Sequence, residues 1–444
     1  MQAVDIVQIE RNLSSIYSPD QSALFQSWLG NRSIASIGTN AGAPEIPFQG
    51  WRRFKEAFPP ELIARAVRES EIPVVTCLDP FGGSGTSALA CQFLGIHPVT
   101  IEVNPYLADL IEAKLSTYNV SALKSAHKRL LARVDDMDVT AALNEFKRAA
   151  PATFLEPGLK SKFIYRRAIL KRLLQFRLAI DLVKDAGLRR LFRVLLGSVA
   201  VPVSNVTVSG KGRRYRGGWE DRTVPSDEVD RLFSELVVSA GSDISAYGAR
   251  CIRDFTLIRG DARLHTEKTA QVDLAVFSPP YPNSADYTDV YNVELWVLGY
   301  LRSKESNASL RAETLSSHVQ LQRAYANAPA GSKLLTSTLT KLHRRKNELW
   351  HKDIPAMVGA YFADMRTVLN ATHQRLAERG KVFMVVGDSK YAGVHISTAP
   401  ILGDLAKELG FHVLNEEPFR SMRVAPQQGG KPGLAETLVI LQKR

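Results

Sequence analysis

The sequence has little cysteine, no long apolar run and no leader-like start. Its 444 residues include three cysteines, whose spacing fits neither a disulfide framework nor a set of metal ligands. No apolar segment is long enough to cross a bilayer, and residues 1–12 lack the basic start and apolar core of a signal peptide. These absences predict a soluble protein of a reducing compartment, with no bound metal and no membrane partner.

The positive charge is concentrated in two segments. Of the net charge of +12, residues 121–255 carry +10 and residues 301–352 carry +7, so the remainder is mildly acidic. This division favours a catalytic body with two basic attachments that follow a phosphate backbone. Solvated helix faces are the alternative, because runs of charge commonly serve only solubility.

Short apolar runs alternate with helix-like segments at both ends of the chain. Residues 73–78 and 97–101 are typical of buried parallel strands, and residues 87–94 between them are typical of a helix. Later segments of the same kind are strands at 255–258, 272–277, 380–387 and 437–441 and a helix at 401–409. The order predicts an α/β fold with a mainly parallel, doubly wound sheet. A basic, largely helical insertion interrupts it, with helices in 160–196 and a turn-rich patch at 210–219.

A glycine-rich turn follows the first predicted strand. Residues 79–86 are DPFGGSGT, at the carboxyl end of a parallel strand, where α/β folds bind ligands. A P-loop would need a lysine here, and a dinucleotide site would need the G-x-G-x-x-G spacing, so both fit poorly. A purely structural turn remains an alternative. Glu102 ends the second strand 23 residues after Asp79, about where this fold places a carboxylate for ribose hydroxyls. Together these features predict an adenosine-containing ligand.

A second motif follows the predicted strand 272–277. Its residues are Ser278-Pro279-Pro280-Tyr281, and a double proline after a strand is by itself ordinary loop chemistry. Combined with DPFGGSGT, however, it resembles the S-adenosylmethionine-dependent DNA amino-methyltransferases, and serine in its first position resembles their cytosine-N4 branch. Residues 58–60, 260–261 and 386–389 extend the resemblance, which covers roughly 48–118, 255–300 and 355–444.

The resemblance implies a Rossmann-like class I methyltransferase with S-adenosylmethionine as cofactor. It would place Glu102 against the ribose hydroxyls and Asp261 against the adenine amino group. The residues it assigns to cofactor binding are Phe58, Pro59, Asp79, Pro80, Phe81, Gly82, Gly83, Ser84, Gly85, Thr86, Glu102, Asn104 and Asp261.

The resemblance assigns the target base to the second motif. The catalytic residues are then Ser278, Pro279, Pro280 and Tyr281. An exocyclic amine is a weak nucleophile because its lone pair is delocalised into the ring, so catalysis depends mainly on positioning. The Ser278 hydroxyl and the Pro279 carbonyl can accept the amine protons and turn the lone pair towards the methyl group. Tyr281 offers a face for a base taken out of the duplex. No catalytic base is predicted.

The predicted organisation is an N-terminal segment, a catalytic domain and two insertions. The bounds are 1–47 for the N-terminal segment, 48–120 and 255–444 for the catalytic domain, 121–254 for a target-recognition region and 301–352 for a second basic insertion. Basic side chains in both insertions are predicted to contact DNA, with a flexible surface loop as the alternative for the first group. They are Lys211, Arg213, Arg214, Arg216, Arg344, Arg345 and Lys346.

The cysteines argue against methylation at carbon 5 of cytosine. The family that performs that reaction uses a cysteine after proline, whereas Thr76, Ala90 and Arg250 precede the three cysteines here. The leading hypothesis is therefore a site-specific DNA cytosine-N4 methyltransferase of a prokaryotic restriction-modification or defence system. It implies duplex DNA as substrate, a cognate endonuclease as a candidate partner, and a cytoplasmic, nucleoid-associated location. Adenine-N6 methylation, RNA base methylation and a non-catalytic DNA-binding scaffold remain alternatives.

Overall fold

The computed structural model describes residues 19–30, 45–53, 58–209, 212–283, 286–423 and 432–444. The α-helices are Pro19–Leu29 (α1), Glu61–Arg68 (α2), Thr86–Phe93 (α3), Pro105–Leu115 (α4), Val120–Val134 (α5), Thr140–Ala149 (α6), Arg167–Asp181 (α7), Ala186–Ala200 (α8), Asp227–Tyr247 (α9), Ala262–His265 (α10), Tyr287–Val290 (α11), Asn292–Val297 (α12), Lys304–Ala312 (α13), Lys333–Arg344 (α14), Ile354–Arg375 (α15) and Thr398–Glu408 (α16). The strands are Thr76–Asp79 (β1), His97–Glu102 (β2), Val206–Ser209 (β3), Gly212–Tyr215 (β4), Thr256–Arg259 (β5), Val272–Phe277 (β6), Leu376–Gly387 (β7), Ser389–Tyr391 (β8), Val394–Ile396 (β9), Phe411–Arg423 (β10) and Pro432–Lys443 (β11).

Seven of these strands form the central sheet, in the order β10-β11-β7-β6-β1-β2-β5. The pairs among β5, β2, β1, β6 and β7 are parallel. The last strand, β11, is inserted between β7 and β10 and is antiparallel to both. The sheet is mainly parallel and Rossmann-like, with one antiparallel pair of strands at its edge, so the predicted α/β fold class is confirmed.

Both faces of the sheet are covered. Successive residues of β7 point in opposite directions, so Phe383 and Val385 belong to one apolar core while Val382 and Met384 belong to the other. The first core also contains side chains of α2 to α9, and the second contains side chains of α14 to α16. Burial on both faces explains why the strands are nearly continuous apolar runs in the sequence.

The carboxyl ends of the parallel strands meet at one edge of the sheet. Asp79 ends β1, Glu102 ends β2, Phe277 ends β6 and Gly387 ends β7. Both sequence motifs follow directly from these strand ends, so the fold brings them together although about 200 residues separate them along the chain.

Two local expectations were wrong, and one strand was not predicted. The helical segment predicted at 160–196 begins only at Arg167 and is interrupted before Asp185, whose side chain caps α8 by accepting the Leu188 N–H. The turn-rich patch at 210–219 contains β4, which pairs with β3 in a hairpin although its sequence is rich in glycine and arginine. Strand β10 was not predicted, because it is an edge strand with many polar residues and a proline.

Helices α5 to α9 and the β3–β4 hairpin occupy the predicted target-recognition region. Their apolar side chains join the same core as α4, and the Tyr106 hydroxyl of α4 donates to the Val194 carbonyl of α8 at 3.3 Å. The region is thus packed against α4, the helix that follows β2. The domain bounds themselves stay a prediction.

Candidate active site

The glycine-rich turn is packed tightly against β2. The Gly82 N–H donates to the Ile101 carbonyl at 2.9 Å. A Cβ at Gly82 would lie 2.4 Å from Thr100 Cγ2 and 2.8 Å from Ile111 Cδ1, so no side chain fits there. Gly85 has φ +76°, a left-handed conformation that favours glycine, and it begins α3. Close packing and backbone conformation together explain the spacing of the glycines.

Glu102 connects the turn to the start of α4. Its Oε2 accepts the Gly83 N–H and its Oε1 accepts the Asn104 N–H, each at 2.7 Å. The Asn104 side chain in turn caps α4, accepting from Tyr106 N and Leu107 N. Burial raises the pKa of Glu102 to about 7. Each carboxylate oxygen retains a lone pair for a donor in the cavity.

Asp79 fixes the opposite end of the turn. Its Oδ1 accepts the Phe81 N–H at 2.9 Å, and its Oδ2 accepts the Ser87 hydroxyl at 2.5 Å. Burial raises the pKa of Asp79 to about 6, although these two hydrogen bonds oppose the shift. Asp79 therefore orders the turn as well as lining the cavity.

Lys114 of α4 lies beneath the turn and was not predicted. It is fully buried, and its Nζ donates to the Ser84 carbonyl at 2.7 Å and to Gln49 Oε1 at 2.9 Å. Burial lowers the pKa of Lys114 to about 7. A lysine among the apolar residues of this helix was the signal available in the sequence.

Both motifs line one cavity of about 480 Å³. This volume is in the range of small-molecule and cofactor sites. The predicted residues on its wall are Phe58, Asp79, Pro80, Phe81, Gly82, Gly83, Ser84, Thr86, Glu102, Asn104, Asp261, Ser278, Pro279, Pro280 and Tyr281. Pro59 and Gly85 are not among the lining residues; the first lies beside Phe58, and the second acts through the shape of the turn.

Asp261 lines the cavity, but its carboxylate is already bonded. Oδ1 accepts the backbone N–H and Nε of Arg263, and Oδ2 accepts Nε and Nη2 of the same residue, at 2.6–3.0 Å. Arg263 also contacts Asp364 at 3.2 Å. Arg263 thus occupies both carboxylate oxygens, so a direct bond from an adenine amino group would require it to move.

The predicted catalytic motif, residues 278–281, is held by the ends of β7 and β11. The Ser278 hydroxyl donates to the Val385 carbonyl at 3.0 Å and lies 3.4 Å from the Tyr281 hydroxyl. The Tyr281 hydroxyl donates to Glu436 Oε1 at 2.6 Å. Because Ser278 uses its proton on a backbone carbonyl, its oxygen can accept a hydrogen bond from a bound amine.

Several residues that line the cavity were not predicted from the sequence, because they lie far from either motif. One group belongs to the segment predicted only as a basic insertion, and it consists of Glu313, Thr314, Leu315, Ser317 and His318. Glu436 comes from β11, where it is the single acidic residue of the strand, and this was the available signal. Burial lowers the pKa of His318 to about 4, so this wall of the cavity carries a neutral imidazole at pH 7.

Four of the predicted DNA-binding residues are exposed, namely Arg214, Arg344, Arg345 and Lys346. Lys211 lies outside the described residues. Arg213 and Arg216 are partly buried and make contacts within the protein.

These two arginines bond to nearby elements. Arg216 donates from Nε and Nη2 to the carbonyls of Ser204 and Val201, at 3.2 Å each. Arg213 donates to Asn292 Oδ1 at 3.4 Å. Both contacts stabilise the β3–β4 hairpin, so the exposed Arg214 is the member of this group that is best placed to meet DNA.

Comparisons with known proteins agree with the two motifs. A family model described as DNA methylase, whose name covers both N6 and N4 methylation, matches residues 10–113. Type II methyltransferase M.AvaI of a Nostoc species is 26% identical over an alignment of 426 positions, which covers 86% of this chain and 82% of that protein. Type II methyltransferase M.BsoBI of Geobacillus stearothermophilus is 24% identical over 93% of this chain and 88% of that protein. The chain is a DNA methyltransferase.

Two further similarities are local or remote. Type II methyltransferase M.XycI of Xanthomonas campestris pv. cyanopsidis is 41% identical to the methyltransferase over 95 residues, 21% of this chain and 29% of that protein. A solved structure of TrmN from Thermus thermophilus covers 90% of this chain and 53% of its own, with 11% identity and a TM-score of 0.29. The fold assignment depends on the sheet described above instead.

The methyltransferase uses S-adenosylmethionine as its methyl donor, and the cavity fits this molecule. Glu102 would accept the ribose hydroxyls at the bottom of the cavity, and the glycine turn leaves room for the methionine part beside it. When bound, the cofactor supplies an electrophilic methyl group on a sulfonium. Among the described residues, no cluster of His, Cys, Asp or Glu is placed to hold a metal ion, and no helix is long and apolar enough to cross a membrane.

Proposed function

We propose that the methyltransferase modifies the exocyclic N4 amine of a cytosine in duplex DNA. The observation that carries this proposal is the position of Ser278 on the wall of the cavity that also contains Glu102 and the glycine turn. Serine is the residue that resembles the cytosine-N4 branch at this position. Its hydroxyl donates to Val385, so its lone pairs face the amine as acceptors.

In the proposed mechanism the protein positions the amine. The Ser278 hydroxyl and the Pro279 carbonyl accept the two amine protons, which directs the nitrogen lone pair towards the methyl group. The rings of Pro279 and Pro280 restrict the backbone and keep the carbonyl in place. Tyr281 stacks on the base after the base has left the duplex. Positioning of this kind provides most of the acceleration for a reaction with a strong electrophile.

The location of the exposed basic residues supports duplex DNA as the substrate. Arg214 is on the β3–β4 hairpin, which packs against α11 and, through the Arg213–Asn292 hydrogen bond, contacts α12; these are the helices directly after the catalytic motif. The Arg344–Lys346 cluster ends α14, and Arg345 donates to the Ala392 carbonyl at 2.8 Å. Ala392 joins β8 to β9 in a hairpin that is fixed to the catalytic loop, because Ser389 and Tyr391 both donate to the Pro282 carbonyl.

Arg214 and the Arg344–Lys346 cluster therefore approach the catalytic motif from different faces of the sheet. The hairpin residue Val206 belongs to the first core, and Leu342 of α14 belongs to the second. A duplex that contacts both Arg214 and the Arg344–Lys346 cluster would lie across the mouth of the cavity. Phosphate contacts of this kind position a protein on DNA without reading its sequence.

We further propose a role in a restriction-modification or defence system. M.AvaI and M.BsoBI are named Type II methyltransferases, and each aligns along most of its length with this chain. The methylation would then protect one DNA sequence from a cognate endonuclease, in a prokaryotic cytoplasm.

Expression in a bacterial host without DNA methylation tests this proposal. Genomic DNA from cells that carry the wild type is digested to nucleosides and analysed by mass spectrometry, with Ser278→Ala as the matched control. We expect N4-methylcytosine with the wild type and at least about 100-fold less with the variant. N6-methyladenine would refute the choice of base. No methylated base in DNA would refute DNA as the substrate.

A further inference from the structure

A buried carboxylate faces the catalytic motif from the last strand. Glu436 is 6% exposed and lines the cavity together with Ser278 and Tyr281. Its Oε1 accepts the Tyr281 hydroxyl at 2.6 Å, within the range of a strong hydrogen bond to a charged acceptor. None of the roles assigned so far uses this carboxylate.

The topology of the sheet places Glu436 at this position. Strand β11 is antiparallel to β7, so its first residues meet the carboxyl end of β7, and Glu436 pairs there with Gly387. On the other side Glu436 pairs with Arg420 of β10. A residue near the start of β11 therefore reaches the same edge of the sheet as the catalytic motif.

The environment of Glu436 favours proton uptake. Burial raises its pKa, while the Tyr281 hydrogen bond and Arg420 oppose the shift. Arg420 Nη1 is 3.6 Å from Oε2. Gly387 on β7 carries no ionisable group, and the neighbouring Asp388 is bonded to His395 and to the Thr398 N–H.

A line of oxygen atoms joins this carboxylate to the base pocket. The Ser278 Oγ is 3.4 Å from the Tyr281 hydroxyl, and the Tyr281 hydroxyl is 2.6 Å from Glu436. The serine hydroxyl can rotate from the Val385 carbonyl towards Tyr281, since its proton has no fixed position. Hydrogen bonds between catalytic groups are often longer before substrate binds.

Methylation of an amine requires such a path. The nitrogen lone pair forms the new C–N bond, and the electron pair of the broken S–C bond remains on sulfur. The nitrogen must then release one proton, and the electron pair of that N–H bond returns to nitrogen. Without an acceptor, the proton would remain on a cationic base in the cavity.

We propose that Glu436 is the terminal acceptor of this proton, which it receives through Ser278 and Tyr281. The proposal rests on the proposed function, since it assumes that the amine binds at Ser278. In the relay the amine proton moves to Ser278 Oγ, the serine proton moves to Tyr281, and the tyrosine proton moves to Glu436. Each hydroxyl is restored, and the carboxylate ends as a carboxylic acid.

The test is the single-turnover rate of methyl transfer to duplex DNA, measured as a function of pH. Glu436→Gln retains an oxygen that accepts the Tyr281 hydroxyl but cannot take up a proton. We expect a rate at least about 100-fold lower than that of the wild type, the usual range for the loss of a proton acceptor. The affinities for S-adenosylmethionine and DNA should change less than about twofold. The wild-type rate should rise with pH as Glu436 ionises, and this dependence should be lost in the variant.

Two further variants separate a relay from a structural role. Tyr281→Phe removes only the hydroxyl. If the relay operates, the double variant Tyr281→Phe/Glu436→Gln should transfer the methyl group no more slowly than Tyr281→Phe alone. Glu417→Gln is the matched control, because Glu417 is on β10 and pairs with Arg65 away from the cavity; its rate should equal that of the wild type. Multiplicative effects in the double variant would overturn the relay.

The outcomes also separate this proposal from the proposed function. A wild-type enzyme that methylates DNA, together with an equally fast Glu436→Gln variant, would refute the relay and leave the proposed function intact. A wild type that methylates no base would refute the proposed function and the relay with it. A variant whose pH dependence matches that of the wild type would also refute the relay.

Discussion

Cofactor binding is expected to strengthen with pH between 5.5 and 8.5 because of Glu102. Burial raises the pKa of this carboxyl to about 7, compared with about 4.3 in an unstructured chain. The Gly83 and Asn104 N–H groups already donate to its two oxygens, so only the ionised form has lone pairs for both ribose hydroxyls. Binding therefore requires the deprotonated carboxylate, and affinity rises as the proton leaves.

The size of the effect follows from the pKa. At pH 5.5 about one carboxyl in 30 is ionised, so selecting this form weakens binding by about 2 kcal/mol, or about 30-fold in Kd. At pH 8.5 the carboxylate is fully ionised, and its bonds to the ligand contribute about 1.5–3 kcal/mol. Glu102→Gln should then bind about 10- to 150-fold more weakly than the wild type at pH 8.5, and this difference should shrink by about 30-fold at pH 5.5.

Isothermal titration calorimetry with S-adenosylmethionine measures both proteins at each pH. The ratio of the two Kd values cancels the titration of the ligand's own amino group and that of Asp79, which both proteins share. Thermal unfolding of Glu102→Gln checks that the variant is folded. A ratio that stays constant across this pH range would show that Glu102 does not titrate in the way described, and equal affinities at pH 8.5 would refute its role in binding.

Three other perturbations test different parts of the structure. Gly82→Ala should weaken cofactor binding at least about tenfold by calorimetry, because its Cβ would lie 2.4 Å from Thr100 and overpacking typically costs about 1–3 kcal/mol. The free energy of unfolding of the wild type, measured with denaturant, should rise relative to that of Lys114→Met by up to about 1.4 kcal/mol per pH unit between pH 7 and 10. The reason is that the buried amine of the folded protein is neutral in this range, whereas the unfolded chain loses that proton only near pH 10.4. Arg214→Ala should lower DNA affinity and reduce the salt slope by about 0.9 in fluorescence anisotropy, whereas Arg216→Ala should lower the unfolding temperature instead.

Each of these predictions has a contrary result. Gly217→Ala is the control for the turn, because no atom lies within 4 Å of its added Cβ, and it should leave cofactor binding unchanged. A stability difference for Lys114→Met that does not vary with pH would contradict a neutral buried lysine. Equal salt slopes for Arg214→Ala and Arg216→Ala would contradict the separate roles given to these residues.

The sequence predicted six of the seven strands of the central sheet and about half of the residues that line the cavity. Parallel strands buried on both faces are continuous apolar runs, which are easily recognised in the regions of β1, β2, β6 and β7. Their carboxyl ends share one edge, so Asp79, Glu102 and Ser278 were expected to lie together and do line one cavity. The parallel strands and the residues at their carboxyl ends could be predicted because local sequence patterns identify them.

The remaining parts depend on tertiary contacts that no local pattern contains. Glu436 reaches the cavity because β11 runs antiparallel between β7 and β10, and Lys114 reaches the turn because α4 packs beneath it. The pairing of Asp261 with Arg263 was likewise not expected from motif position. In each case the packed structure determines which group the side chain contacts, and the residue type alone does not predict that contact.

The most direct test of the account is to identify the methylated atom in a purified reaction. The enzyme is incubated with duplex DNA and S-adenosylmethionine carrying a ¹³C-labelled methyl group, and the nucleosides are separated and analysed by mass spectrometry. We expect ¹³C-labelled N4-methylcytosine with the wild type and almost none with Ser278→Ala. Label on adenine N6, or on no base while the cofactor still binds, would contradict this expectation.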